Sequence, residues 1–133
     1  MVNQIYINLP VKNLKKSMEF FKQLGFSFNS EFTNEHGACL ILGENIYSML
    51  LTTEFFKTFT KKNVIDPQKD IQVITAISLP TRKEVDSLIE KAIAAGGKAL
   101  HNEALDHGFM YYNAFEDIDG NVWEPLSYEP KKK

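Results

Sequence analysis

The sequence has 133 residues, a formal net charge of −2 and 44% apolar residues, with ten Phe and five Tyr. This apolar content is sufficient for the core of one domain, and it excludes a chain that is disordered throughout. The near-neutral charge gives no electrostatic basis for binding nucleic acid or an anionic membrane. No apolar run approaches the roughly 20 residues that a membrane span requires.

The N-terminus and the cysteine content predict a cytoplasmic protein. The first residues have neither the basic region nor the long apolar region of a signal peptide. Cys39 is the single cysteine, so an internal disulfide is impossible, which fits a reducing compartment. Its apolar, strand-like surroundings favour a buried small side chain over a nucleophile. The basic run at 131–133 is predicted to be a solubilising tail.

The first half of the sequence predicts a strand, a helix and then further strands. Residues 4–11 alternate between apolar and polar side chains, as a strand does, and Pro10 is predicted to end it. Asn13 is a suitable cap for a helix that Gly25 ends. Further strands are predicted at about 26–32, 38–42 and 46–53.

The second half repeats this order after an amphipathic segment at 54–63, which is predicted to be a linker helix. A strand is predicted at 71–79, and Thr81 with Glu84 has the spacing of a capping box at a helix N-terminus. Strands are then predicted at about 98–101, 109–115 and 121–127, with a hairpin turn at Asp119 and Gly120.

The two halves match over several elements. Ile7-Asn8-Leu9-Pro10 resembles Ile77-Ser78-Leu79-Pro80 at an offset of 70 positions, and strand, proline, cap, helix and glycine recur in the same order. The sequence therefore predicts a single α+β domain spanning 1–133, built from two tandem βαβββ units at about 1–53 and 71–128.

Two segments carry a resemblance to a known family. The first is Ile7-x-Leu9-x-Val11-x-Asn13-Leu14-x-x-Ser17-x-x-Phe20-Phe21-x-x-Leu24-Gly25-Phe26, and the second is Phe115-Glu116-Asp117-x-Asp119-Gly120-Asn121-x-Trp123-Glu124. Together they resemble the vicinal oxygen chelate superfamily, which contains glyoxalase I, bleomycin-resistance proteins and extradiol dioxygenases. The resemblance implies a curved mixed sheet around a central cavity that holds the substrate. It also implies a homodimer.

The resemblance further implies where a metal would be held. Metal-using members of this superfamily usually supply His, Glu, His and Glu from four strands, and these positions fall here on Tyr6, near Met49, on Ile74 and on Glu124. Ile74 has no donor atom, Met49 is a poor ligand for a hard metal, and Tyr6 is an uncommon one. We therefore expect no cofactor, although Glu124 would be a ligand if a divalent metal is bound.

Glu124 is the principal candidate for a ligand-binding or catalytic residue. In a strand it shares one face with Val122 and Leu126, and a carboxylate on an apolar face is costly unless it has a partner. The alternative is a solvated edge position, with Trp123 pointing inward. His107, between Asp106 and Gly108, is a candidate general base or metal ligand. A loop histidine with a backbone hydrogen bond is the favoured alternative.

Aromatic residues are dense in the last predicted strands, and Tyr111 and Trp123 are candidates for stacking on a planar ligand. Core packing is the favoured alternative for most of these aromatic residues. Alternation places Tyr111 with Phe115 on one face and Met110 with Tyr112 on the other. The sequence leaves open which face lines a cavity.

Three functions follow from these observations. The first is metal-independent binding of a small organic molecule, for which the bleomycin-resistance branch is a precedent. The second is a metal-dependent glyoxalase-type lyase or isomerase, or a dioxygenase, which would use Glu124 with non-standard ligands such as His107 or Tyr6. The third is a dimeric structural module without a ligand.

Overall fold

The computed structural model describes residues 1–129, so the predicted basic tail at 131–133 lies outside the described residues. The chain divides into two compact units, of which the first is Met1–Val64 and the second begins at Ile65. Within residues 1–129 no helix is long and apolar enough to cross a membrane.

The first unit is a four-stranded sheet with one helix between its first two strands. The strands lie in the order β1-β4-β3-β2, with β1 parallel to β4 and the other pairs antiparallel. Its elements are β1 (Ile5–Val11), α1 (Leu14–Gln23), β2 (Ser27–Asn29), β3 (Gly37–Gly43) and β4 (Ile46–Thr52).

Helix α1 begins and ends where the sequence predicts. The side-chain oxygen of Asn13 accepts a hydrogen bond from the Lys16 N–H at 3.1 Å, which satisfies one of the free donors of the first turn. Gly25 follows the helix with φ 99°, a left-handed conformation that glycine adopts without steric cost. Phe20 and Phe21 are each 1% exposed and anchor the helix in the core of this unit.

Pro10 does not end β1, contrary to the prediction. The strand continues to Val11, and Pro10 lies opposite Leu51 of β4. Because β1 is an edge strand, one of its sides has no neighbouring strand in the sheet. A residue without an N–H is tolerated there more readily than in a central strand.

The predicted linker helix at 54–63 is shorter in the structure. It comprises α2 (Thr53–Phe56) and a 3₁₀ turn at Lys57–Phe59, and the Thr52 hydroxyl caps it by accepting the Phe55 N–H at 3.3 Å. At Thr60 the backbone returns to an extended conformation. The amphipathic spacing of Phe55, Phe56 and Phe59 therefore predicted a helix that is longer than the one observed.

The second unit repeats the arrangement with more interruptions. The predicted strand at 109–115 is broken at Asn113 and Ala114, residues 71–73 lie outside the first strand, and one short strand was not predicted. The last strand pairs in parallel with the first and antiparallel with the two fragments of the broken strand. The elements are β5 (Ile74–Ser78), α3 (Arg82–Ala94), β6 (Lys98–Ala99), β7 (Leu105–Asp106), β8 (Met110–Tyr112), β9 (Phe115–Glu116) and β10 (Val122–Tyr128).

These observations confirm the α+β class with two βαβββ units. The Thr81 hydroxyl accepts the Glu84 N–H at 3.1 Å, as the predicted capping box requires, and Asn13 is the corresponding cap in the first unit. The two caps are 68 positions apart, because 81 minus 13 is 68. The four-residue sequence match has an offset of 70, so it differs by two positions from the offset of the equivalent helix caps.

The turn that leads into β10 is organised by a buried carboxylate. Asp117, which is 5% exposed, accepts hydrogen bonds from the backbone N–H groups of Asp119 and Asn121 at 2.9 and 3.0 Å. It also accepts one from the indole N–H of Trp123 at 3.0 Å. Burial raises the pKa of Asp117 to about 6, with the neighbouring Asp119 adding to the rise, whereas these three hydrogen bonds oppose it.

Asp117 therefore makes stability depend on pH. Because its pKa is raised above the ordinary value of 3.8, its contribution is fully present below about pH 4 and is lost as pH rises through 6. We expect this group to lower the free energy of unfolding by about 3 kcal/mol from pH 4 to 7. Urea unfolding of wild type and Asp117→Asn, measured across this range, isolates the effect as their difference. Asp70→Asn, at an exposed position, is the control. Parallel profiles for wild type and Asp117→Asn would contradict the assignment.

Two glycines with nearly the same backbone angle provide a matched test of packing at this turn. Gly120 has φ 98°, and an added Cβ would lie 2.8 Å from backbone atoms of Pro67 and Gln68. Gly25 has φ 99° with no atom within 4 Å of such a Cβ. Gly25→Ala is expected to cost about 1 kcal/mol from the left-handed backbone alone. Gly120→Ala should cost about 1–3 kcal/mol more, because backbone must move. Equal losses in urea unfolding would show that this contact relaxes freely.

Candidate functional site

The sheet of the second unit has one face that α3 covers. Tyr111 donates a hydrogen bond from its hydroxyl to Asp86 of α3 at 2.6 Å, so its side chain lies on the helix side. Ser127 is opposite Tyr111, and Trp123 lies four residues earlier on the same strand, hence on the same face. Trp123 is 1% exposed. Two candidates for ligand contact, Tyr111 and Trp123, are thus placed in positions that favour packing against the helix.

The opposite face of this sheet, which we call the open face, carries Glu124. Glu124 lies opposite Ala76 of β5, and the flanking residues Val122 and Leu126 point to the same side. Leu126 in turn lies opposite Tyr112, so the structure assigns Tyr112 rather than Tyr111 to the face of Glu124. Ile74, opposite Val122, is 54% exposed and extends the apolar surface.

The Glu124 carboxylate has no partner in the described part of the chain. It is half-buried, and within residues 1–129 it makes neither a hydrogen bond nor an ion pair. A second acid, Glu116, lies opposite Val122 on the same face, and Lys98 is opposite Glu116 on the far side. The open face therefore combines apolar side chains with an uncompensated carboxylate.

In the first unit, Tyr6 and Met49 lie on the face away from α1. Successive side chains in a strand point to opposite faces of the sheet. Ser48 and Leu50, on either side of Met49 in β4, are fully buried on the face opposite to it. The ring of Tyr6 stacks on that of Tyr47, with 4.9 Å between centroids and 18° between planes. The Tyr6 hydroxyl donates to the side-chain oxygen of Gln4 at 3.2 Å. The alternation of β4 could have identified Tyr47 as a member of this face.

The residues at the four positions carried over from the resemblance do not fit a divalent metal. They supply a phenol, a thioether, an alkyl group and one carboxylate, from Tyr6, Met49, Ile74 and Glu124. Within residues 1–129 no group of three or more His, Cys, Asp or Glu side chains is arranged to hold a metal ion. A single carboxylate holds such an ion weakly, because tight sites need several converging donors.

His107 lies in the hairpin between β7 and β8, at the end of the strand that carries Tyr112. Its backbone N–H donates to the Met110 carbonyl at 2.8 Å, and its imidazole stacks on the Tyr112 ring with 5.7 Å between centroids. The structure thus gives His107 the backbone hydrogen bond of a loop residue. Its ring nevertheless contacts a side chain of the open face.

Arg82, which the sequence did not suggest, fastens this hairpin to α3. Its guanidinium donates to the Asp106 carboxylate at 2.8 Å and to the Gly108 carbonyl at 2.9 Å, and it lies 5.1 Å from the centre of the Tyr111 ring. The Gly108 N–H, followed by the Arg82 charge, lowers the pKa of Asp106. The hydrogen bond to Asp86 raises the pKa of Tyr111 to about 12. Arg82 and Asp106 are 24 positions apart in the sequence, so no local pattern predicts this contact.

An open depression of about 680 Å³ lies elsewhere, at the ends of β1 and β4 in the first unit. Its hydroxyl groups are already engaged, since Thr53 donates to the Val11 carbonyl at 3.1 Å and Thr52 caps α2. None of the predicted site residues lines it. The lining residues are Lys12, Glu35, His36, Thr52, Thr53 and Glu54.

Comparison with known proteins gives one family and several similar structures. The model of the Glyoxalase/Bleomycin resistance protein/Dioxygenase superfamily matches residues 3–124. Hypothetical protein SA1046 from S. aureus is 26% identical, with a TM-score of 0.79 over 96% of this chain and 95% of that one. A glyoxalase-related enzyme from Fulvimarina pelagi is 22% identical, with a TM-score of 0.78 over 95% and 88% of the two chains.

A third similar structure is the fosfomycin resistance protein FosX from Listeria monocytogenes. It is 16% identical, with a TM-score of 0.70 over 100% of this chain and 96% of that one. A search of curated proteins found no match. At identities below 25%, the similarity to this structure and to that from Fulvimarina pelagi concerns the fold.

The contacts of Arg82 predict a local effect on the hairpin. In Arg82→Gln we expect the His107 amide, bonded to Met110, to exchange its hydrogen about 3–10-fold faster, because the hairpin loses its attachment to α3. Global stability should change little, since both side chains of the ion pair are partly exposed to solvent. Lys83→Gln, at the next and exposed position of α3, is the control. An unchanged exchange rate at His107 in Arg82→Gln would refute a clamping role.

Proposed function

The chain belongs to the Glyoxalase/Bleomycin resistance protein/Dioxygenase superfamily, and from this premise we propose that it binds a small organic molecule without the superfamily's usual metal. The observation that carries the proposal is the set of side chains at the four metal positions. Tyr6, Met49 and Ile74 replace ligand types that bind divalent ions, so only Glu124 is retained.

The composition of the open face supports binding of an organic ligand. Ile74, Leu126 and Tyr112 offer apolar and aromatic contact area beside the Glu124 carboxylate, and Glu116 lies farther along the same face. Ligand sites are commonly of this kind, with apolar walls and a few polar groups that orient the ligand. A half-buried carboxylate that has no protein partner gains most from a ligand that supplies a hydrogen-bond donor.

Other properties that the sequence or the family resemblance implies remain predictions. A homodimer and a cytoplasmic location are expected, with no nucleic acid or membrane as partner. A metal-dependent lyase or dioxygenase would require at least two more donors to join Glu124. His107 instead stacks on Tyr112, and Tyr6 donates its hydroxyl to Gln4.

Metal content and metal titration test the proposal. We expect the purified protein to contain far less than one equivalent of metal by mass spectrometry. Calorimetric titration with Ni²⁺, Zn²⁺, Co²⁺ and Fe²⁺ should give no saturable heat, because a single carboxylate binds such ions weakly. Small organic ligands identified by screening of amide NMR shifts should bind equally well before and after treatment with EDTA.

The matched variant for this experiment is Glu124→Gln, which keeps the size of the side chain and removes its charge. Stoichiometric metal in the wild-type protein that is lost in Glu124→Gln would overturn the proposal and support a metal-dependent enzyme. If no small molecule perturbs the amides of β5, β8 or β10, the binding function itself would be refuted.

A further inference from the structure

We propose that the ligand of the open face carries a cationic nitrogen on an apolar or planar body, and that the same face rejects organic anions. This inference rests on the binding function proposed above and specifies the class of ligand. It derives from the distribution of charge on the second-unit sheet.

Glu124 forms no ion pair with a lysine or arginine in the described part of the chain. Arg82, which lies 3.9 Å from Glu129 just after β10, is bonded to Asp106 and Gly108. It lies among residues of the helix-covered side, since it stacks on Tyr111. The charge of Glu124 is therefore available to a ligand.

The charged side chains of the open face include a second acid near Glu124. Glu116 lies opposite Val122, diagonal to Glu124, a relation in which side chains are about 7–8 Å apart. Lys98 lies opposite Glu116, beyond it and on the edge strand β6. Glu124 thus has an acid as its nearer charged neighbour. Near Glu124 an anionic ligand would meet net repulsion and a cation net attraction, because Lys98 lies on the far side of Glu116 and offsets these carboxylates only in part.

The side chains around Glu124 are mainly apolar. Val122 and Leu126 flank it along the strand, Ala76 lies opposite, and Tyr112 lies beside Leu126. Apolar neighbours strengthen an ion pair, because they exclude water from it. The body of the ligand that suits these neighbours is apolar, and the aromatic ring of Tyr112 favours a planar one. The ligand class is accordingly an aryl or alkyl amine, amidine or guanidine.

Three probes of similar size and different charge test the inference: phenethylamine, phenethyl alcohol and phenylpropionate. Binding is followed by amide NMR shifts of β5, β8 and β10 in the full chain. We expect phenethylamine to bind at least about ten-fold more tightly than the alcohol, since a charged hydrogen bond replaces a neutral one. Phenylpropionate should bind more weakly than the alcohol.

Two variants on the same face serve as a matched pair. Glu124→Gln should weaken phenethylamine binding by about ten-fold or more and leave phenethyl alcohol unchanged. Glu116→Gln should weaken phenethylamine binding by less than about three-fold, because Glu116 is farther from the bound nitrogen and next to Lys98. Raising the salt from about 0.02 to about 0.5 M in the wild-type protein should weaken only the amine, which tests the charge without any substitution.

The outcomes separate this inference from the function on which it rests. If phenethyl alcohol perturbs the open face and the three probes bind equally, the charge preference is refuted and the binding function stands. Tighter binding of phenylpropionate, or unchanged amine binding in Glu124→Gln, would also overturn the inference. If none of the probes perturbs these strands, both the inference and the proposed function fail.

Discussion

In each unit the first strand pairs in parallel with the last. This pairing decides which face of the sheet the helix covers, and therefore which candidate side chains a ligand can reach. Parallel neighbours cannot be joined by a tight turn, so the chain must cross over between them, and the helix after the first strand lies within that crossover. The helix covers one face of its sheet, as the bond from Tyr111 to Asp86 of α3 shows. The other face keeps side chains that the helix does not touch, and Glu124 is among them.

In the second unit, three aspartates accept hydrogen bonds from specific donors, whereas Glu124 on the open face does not. Asp86, Asp106 and Asp117 each have a specific donor, and these contacts attach the hairpin and the turn before β10 to the rest of the unit. Glu124 has none within residues 1–129. A carboxylate that is left unpaired among apolar neighbours lowers stability, and functional sites are where such costs are commonly found. This contrast supports the binding role that we propose for the open face.

The two units share the same backbone constraints. The caps at Asn13 and Thr81 begin equivalent helices, and the same parallel pair follows in each unit. Those constraints act on backbone and on the buried face. They place no requirement on outward positions such as Tyr6 and Ile74, at which the family resemblance implies donor atoms in metal-using members. Membership of the superfamily therefore establishes the fold and leaves the reaction or ligand to be argued from individual side chains.

The sequence by itself determined the order of the main elements, the two long helices with their caps, the duplication and the place of Glu124 in the last strand. These properties depend on short-range signals, namely periodicity, capping residues and glycines, which are readable within a few positions of the chain. Tertiary structure alone decided that Pro10 lies within an edge strand, that Tyr112 rather than Tyr111 shares the face of Glu124, and that Arg82 holds the His107 hairpin. Each of these depends on which strand lies beside which and on contacts between residues far apart in the chain, such as Arg82 and Asp106. Alternation divides a strand into two faces, but only the helix packed against one of them distinguishes the covered face from the open one.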